Sequence, residues 1–199
     1  AMNSESPNPA RTPNPDPAQV RRGRRILILI FVLFFGSLLL AGLLRFSGWQ
    51  PPGSKVHGDM LQPAVDARAL VPKLADGSDY LWNPTERTWR IVVAPPADCV
   101  EACVKLAQDL DKVWQLFGRR ADHVHILWIG TPPADAPTNA AMRVVQPSAE
   151  LLAALPQLDE VSGVPIYVID PNGFVILRYP PGTDPGFVRT DVSRLLKLI

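Results

Sequence analysis

From Ile26 to Leu44 the chain runs for 19 residues without a charge or a proline. As a helix rising 1.5 Å per residue this run reaches about 28 Å, close to the roughly 30 Å hydrocarbon core of a bilayer. A core helix of that length in a soluble domain would carry a polar stripe, and this one has none, so the sequence predicts a membrane-spanning helix. Arg21, Arg22, Arg24 and Arg25 precede the run and Arg45 alone follows it. That asymmetry places the N-terminus in the cytoplasm and the remainder outside. Trp49 falls where an interfacial aromatic sits. A cleaved leader fits less well, because the run exceeds a usual signal core and no small-x-small site follows Leu44. No cysteine follows Leu40-Ala41-Gly42 to accept a lipid, and the run is too apolar for the twin-arginine export signal that Arg21-Arg22 suggests. The expectation is an uncleaved single-pass anchor in a bacterial inner membrane, with the body in the periplasm.

The formal charge of +1 is a sum of unlike parts. Residues 1–25 carry five arginines against Glu5 and Asp16, while residues 46–199 carry 14 basic against 17 acidic side chains. A mildly acidic body has no basic surplus for phosphates, which argues against nucleic-acid binding. Prolines at 7, 9, 13, 15 and 17 mark the head as a disordered tail. Two cysteines are too few for a disulfide scaffold or a four-ligand zinc site. The expected organisation is a basic cytoplasmic tail over 1–25, an anchor over 26–45, a linker and lead-in over 46–78, and a folded domain over 79–199.

Within the body, Trp89 to Ala94 is a short β-branched run stopped by Pro95-Pro96, and so a buried strand. Asp98 with Glu101 reads as a capping box opening a helix. Cys103, Leu106, Ala107, Leu110, Val113, Trp114 and Phe117 then recur at helical spacing up to Gly118. His123 to Ile129 reads as a second strand, Met142 to Gln146 as a short third, and Ser148 to Leu155 as a short helix. Val164 to Ile169 and Phe174 to Tyr179 are strands joined by Asp170-Pro171-Asn172-Gly173, a hairpin signal. Val188, Val192, Leu195, Leu196 and Ile199 mark a closing amphipathic helix. Strands alternating with helices and ending in a hairpin predict an α/β fold, a mixed sheet covered on both faces.

That order, with a cysteine pair opening the first helix of the body and Val164-Pro165 before the hairpin, resembles the thioredoxin-like fold over about residues 80–199. The single N-terminal anchor, the spacing Cys99-Val-Glu-Ala-Cys103 and the hairpin Ile166 to Gly173 are most similar to the Sco/SenC group of membrane-anchored cytochrome oxidase assembly proteins. His57 to Pro63 and Asp191 to Leu198 also look like a smaller branch associated with oxidase assembly. The resemblance implies Cu(I) held by Cys99, Cys103 and a histidine shortly before the hairpin. The loop Pro156 to Gly163 contains no histidine. The resemblance further implies that Pro165 is cis and faces the cysteine-bearing helix.

Cys99 reads as about the first helical position, where unpaired N–H groups favour a thiolate and the charges of Asp98 and Glu101 oppose it. Residues four apart share a helix face, which suits two soft ligands for one Cu(I). A disulfide requires the first turn to loosen, as Sco-like proteins are known to manage. Both cysteines also lie in phase with Leu106 and Leu110, so burial as small apolar side chains is an alternative. His123 and His125 sit at the start of a strand parallel to the first, which puts them at the opposite edge from the cysteines. His57 and Met60 can bind copper if the lead-in folds back. Arg119-Arg120 reads as a helix C-terminal charge complement. No P-loop, G-x-G-x-x-G, H-E-x-x-H or G-x-S-x-G motif is present.

The expected function is an accessory factor for respiratory oxidase maturation that handles copper or copper-site thiols, more an assembly factor than a turnover enzyme. Its expected partners are the inner membrane and an oxidase subunit or another copper or thiol assembly factor. The alternatives are a thiol–disulfide oxidoreductase of exported proteins, against which the C-x-x-x-C spacing stands, and a non-catalytic thioredoxin-like scaffold.

Overall fold

The computed structural model describes residues 17–47, 56–137, 139–158 and 163–198. The chain divides into two units, one holding a single long helix and the other the sheet. Helix α1 spans Pro17–Phe46, and its stretch Arg21–Leu44 is long and apolar enough to cross a membrane. The helix therefore begins well before the apolar run, and residues 17–25 are helical instead of part of an irregular tail. Proline is tolerated at a first helical position, and the Ala, Gln and Arg residues that follow propagate a helix well. The rest of the Pro-rich tail, and Trp49, lie outside the described residues.

The second unit is a six-stranded mixed sheet: β1 (Asp59–Asp66), β2 (Trp89–Val93), β3 (Val124–Ile129), β4 (Met142–Val145), β5 (Ile166–Ile169) and β6 (Phe174–Tyr179), in the order β1-β6-β5-β2-β3-β4. Strands β2, β3 and β4 are parallel, while β5 runs antiparallel to β2 and to β6. Helix α2 (Glu101–Gln115) connects β2 to β3, α3 (Ala149–Ala153) lies between β4 and β5, and α4 (Pro185–Leu195) closes the chain.

Alternation along the strands sends side chains to two cores. Ile91 and Val93 of β2, Ile126 and Trp128 of β3 and Val168 of β5 pack with Leu110 of α2 and Val188 and Val192 of α4. Their neighbours Val92, Leu127, Tyr167 and Ile169 pack on the other face with Leu151 of α3 and with Tyr80 and Trp82. The capping chemistry is local. Ser148 accepts from Leu151 N–H at the start of α3, and Asp184 accepts from Gly186 N–H, with Pro185 as the first residue of α4.

The lead-in is more than a tether. Asp59–Asp66 pairs antiparallel with β6 as an edge strand, with an irregular register between Met60 and Val65. Leu74 bridges to Val145 at the opposite edge, and Ala67 is fully buried. The folded body thus reaches back into the segment assigned to the linker. Asp191 of α4 holds this strand's entrance. Its carboxylate accepts from His57 N–H (2.7 Å), Gly58 N–H (3.2 Å) and Tyr179 O–H (3.0 Å), and it pairs with His57 Nδ1 at 3.0 Å. Gly58 is needed there, because a Cβ would sit 2.7 Å from the Tyr179 ring.

Candidate functional site

Strand β2 ends at Val93, and Pro95-Pro96 stop it by removing two N–H donors. The chain then turns, with Cys99 N–H donating to Pro96 C=O (3.2 Å), and Val100 takes φ −106° and ψ −85° before α2 begins at Glu101. Two expectations change here. Cys99 precedes the helix instead of occupying its first turn, and no Asp98 side chain caps the helix. The late start lets Cys99 turn toward Cys103, and the two form a disulfide with Cα atoms 5.6 Å apart. Cys103 is fully buried in the core beneath α2, whereas Cys99 is half-buried and packs at that core's margin.

Beside the pair lies an open cleft of about 1110 Å³ at the C-terminal ends of β2, β3 and β4. Pro95, Asp98, Gly130, Thr131, Pro147 and Gly163 are among the residues that line it. Crevices outside the carboxyl ends of parallel strands are where α/β sheets bind ligands. Asp98 and Glu101 are exposed and have no hydrogen-bond or ion-pair partner among the described residues. The surroundings of the disulfide are therefore acidic.

Pro165 is buried immediately before Ile166, which pairs with Val93, the last residue of β2. This is the place expected for it, at the strand end from which the cysteine loop departs. Its peptide bond, however, is trans; among the described residues the cis bond is Gln62–Pro63. The change of direction before β5 is taken instead by Gly163, at φ +123° and packed so closely that a Cβ would meet Pro181.

The histidines do not join the cysteines. His125 pairs with Arg90 at the start of β2, the opposite end of the sheet. Its Nδ1 lies 2.8 Å from Tyr80 Oη, and burial, with the nearby charges of Arg143 and Arg90, lowers its pKa to about 4. His123 ends a 3-10 turn and contacts Glu86 C=O. The lead-in does fold back, but His57 is engaged by Asp191 and stacks on Phe187 at 4.4 Å, while Met60 Sδ accepts from Gln62. Strands β6 and β5 separate β1 from β2, which at about 4.8 Å per strand puts β1 about 14 Å away. Arg120 donates to Leu196 C=O, at the C-terminus of α4 and not of its own helix. Among the described residues no three His, Cys, Asp or Glu side chains come together as a metal site. The donor set at the pair stops at two sulfurs, so the described residues do not complete the copper site that the family resemblance implies.

Two further groups were not legible beforehand. Arg90 is buried without a carboxylate, its guanidinium held by Tyr80 Oη and the carbonyls of Trp82, Asp170 and Pro171. It also lies over the Tyr80 and Trp82 rings. Asp191 is 1% exposed. Burial works against its charge, but the hydrogen bonds from His57, Gly58 and Tyr179 outweigh it and hold the carboxyl below its usual range. A charged residue in phase with Val188 and Val192 was the only sequence signal for it.

Residues 89–199 match the family described as transmembrane-like, thioredoxin-like, C-terminal domain. The chain belongs to this family. No curated protein matches it. Among solved structures it is similar to BsSco, a member of the Sco family of cytochrome c oxidase assembly proteins, with TM-score 0.51 at 13% identity, covering 71% of this chain and 98% of that one. Xanthomonas campestris peroxiredoxin Q follows with TM-score 0.46 at 15% identity, over 72% and 97%. Bradyrhizobium japonicum ScoI with copper bound gives 0.46 at 14%, over 62% and 95%. The likeness to BsSco and the family match show the thioredoxin-like fold, and the matched residues include the C-x-x-x-C pair.

Proposed function

We propose that this protein is a membrane-anchored assembly factor that exchanges disulfides with the thiols of a copper site during cytochrome oxidase maturation. Its anchor is α1, its arginine flank cytoplasmic, and its folded body lies in the periplasm of a bacterial cell. One observation carries the reading: a disulfide joins a half-buried Cys99 to a fully buried Cys103 at the start of α2. That asymmetry suits Cys99 to receive an external thiolate and Cys103 to leave and later re-close the bond. An exported location permits such chemistry, and BsSco is described as carrying a disulfide switch. Copper, as cargo, would meet the reduced pair as two soft ligands. With a third donor missing among the described residues, thiol handling is favoured over copper carriage.

The test is equilibration of the full chain in dithiol redox buffers, with alkylation and mass spectrometry as the readout. A reversible two-electron transition is expected, lost in Cys99→Ser and in Cys103→Ser. The Cys103→Ser protein should accumulate mixed disulfides at Cys99, and the Cys99→Ser protein should resist alkylation at Cys103 until unfolded. A pair that never re-oxidises reversibly in the folded protein would overturn the reading in favour of a scaffold. An anaerobic Cu(I) titration showing one tightly held ion, lost in either serine variant, would move it to copper carriage.

A further inference from the structure

The cleft beside the disulfide carries information about what kind of thiol can reach Cys99. Most of its lining side chains are apolar, Pro95, Pro96, Ile129, Val144, Leu152 and Leu158 among them, although a large share of its surface is polar. At about 1110 Å³ it is slightly larger than the roughly 300–1,000 Å³ of small-molecule sites. Asp98, the residue before Cys99, is the one charged side chain among its described lining residues. Glu101 stands uncompensated at the nearby start of α2.

We propose that this cleft seats an apolar or basic polypeptide segment bearing the reacting cysteine, and that Asp98 selects against acidic thiols such as glutathione. This inference rests on the thiol–disulfide reading above and names its substrate class. A dicarboxylate thiol entering the cleft would lose hydration, find no cation and face the Asp98 charge. A peptide's neutral side chains lose nothing of that kind, and a lysine or arginine beside its cysteine gains a counter-ion.

The reaction balances without an added oxidant. The peptide thiolate attacks Cys99 Sγ, forming a mixed disulfide; the Cys99–Cys103 bond breaks and its electron pair leaves as the Cys103 thiolate, which takes up a proton. A second cysteine of the peptide attacks the peptide sulfur of the mixed disulfide and releases the Cys99 thiolate. Two peptide thiols are oxidised to a disulfide, and the protein's disulfide is reduced to two thiols.

The experiment uses the oxidised full chain in detergent micelles, quenched by alkylation and read by mass spectrometry. Its probes are glutathione, 2-mercaptoethanol, and two peptides of one apolar two-cysteine sequence flanked by either lysines or glutamates. The lysine-flanked peptide is expected to open the disulfide at least about tenfold faster than the glutamate-flanked one at low ionic strength. The ratio should shrink in high salt, because the Debye length falls to about 3 Å at 1 M. It should also collapse toward one in Asp98→Asn and invert in Asp98→Lys. Thr131→Trp, which puts an indole into the lining of the cleft, should slow both peptides at least about fivefold. Equal rates for the two peptides, or glutathione reacting as fast as the lysine-flanked one, would overturn the docking proposal and leave the thiol–disulfide reading standing. If no probe opens the disulfide of the folded protein, both fall.

Discussion

His125 is a base that the fold keeps uncharged. Burial, reinforced by Arg143 and Arg90, lowers its pKa to about 4, against the 6.5 it has when free. Between those two values the unfolded chain binds a proton that the folded chain refuses, so stability is full above pH 6.5 and declines as pH falls toward 4. The loss is on the order of 2 kcal/mol, after discounting for the ring's partial exposure. Asp191 adds a separate slope at more acidic pH, since a carboxyl held below its usual range loses its contribution only as pH falls through that lowered value. Urea unfolding at pH 7 and pH 4.5 measures the first slope. His125→Gln, which can still meet the Tyr80 hydroxyl, should remove it; an unchanged pH difference in that variant would show that another group is responsible. Cys99 and Cys103 illustrate residue-scale logic of a different kind. Their spacing says that they can meet, but the half-burial of Cys99 and the full burial of Cys103 are set by the fold.

Two elements owe their position to single joints. Strand β1 is an exposed edge strand with a proline in its middle and an interrupted register on β6, a poor candidate for forming by itself. What fixes its entrance is Asp191, which gathers two backbone N–H groups, an imidazole and a hydroxyl from two other segments. Asp191→Asn turns one acceptor into a donor facing donors, and is expected to cost about 2–3 kcal/mol by chemical denaturation. Gly58→Ala drives a Cβ into the Tyr179 ring at the same joint. The double variant should therefore cost clearly less than the sum of the two single ones. Full additivity would mean that the joint is not a unit. Helix α2 makes the complementary point. Its apolar face is plain in the sequence, and Leu110 and Val113 are buried as expected, yet its first turn starts two residues beyond Cys99. That small displacement is what brings the two cysteines into bonding range.

For the whole molecule, the two units differ in kind: Arg21–Leu44 is long and apolar enough to cross a membrane, and the sheet unit is built around its own two cores. A chain beginning at Ser54 is expected to unfold within a few degrees of the full chain's midpoint and to stay in the aqueous phase of a detergent phase separation. The full chain should partition with the detergent. A drop of more than about 10 °C on removing the first unit would mean that it contributes to folding of the second.

Much of this was legible along the chain. The apolar run, the order of strands and helices from Trp89 onward, the hairpin at Asp170 to Gly173 and the C-x-x-x-C pair are patterns of period and turn chemistry, which act between near neighbours. The rest depended on contacts that sequence distance conceals. Strand β1 is made by pairing with β6, Asp191 is explained by partners 133 and 134 residues earlier, and Arg90 is held by carbonyls from two separate loops. The Pro165 bond was expected to be cis by analogy and is trans, with Gly163 making the turn instead. The sequence alone thus determined that there is a membrane-compatible helix, a thioredoxin-like body and two cysteines able to react. Only the tertiary structure decided that they close a disulfide, which of the two is fully buried, and that an acidic residue stands at the cleft beside them. Those three facts are set by where β2 ends, where α2 begins and what packs above the strand ends, and none of them is a local property of the chain.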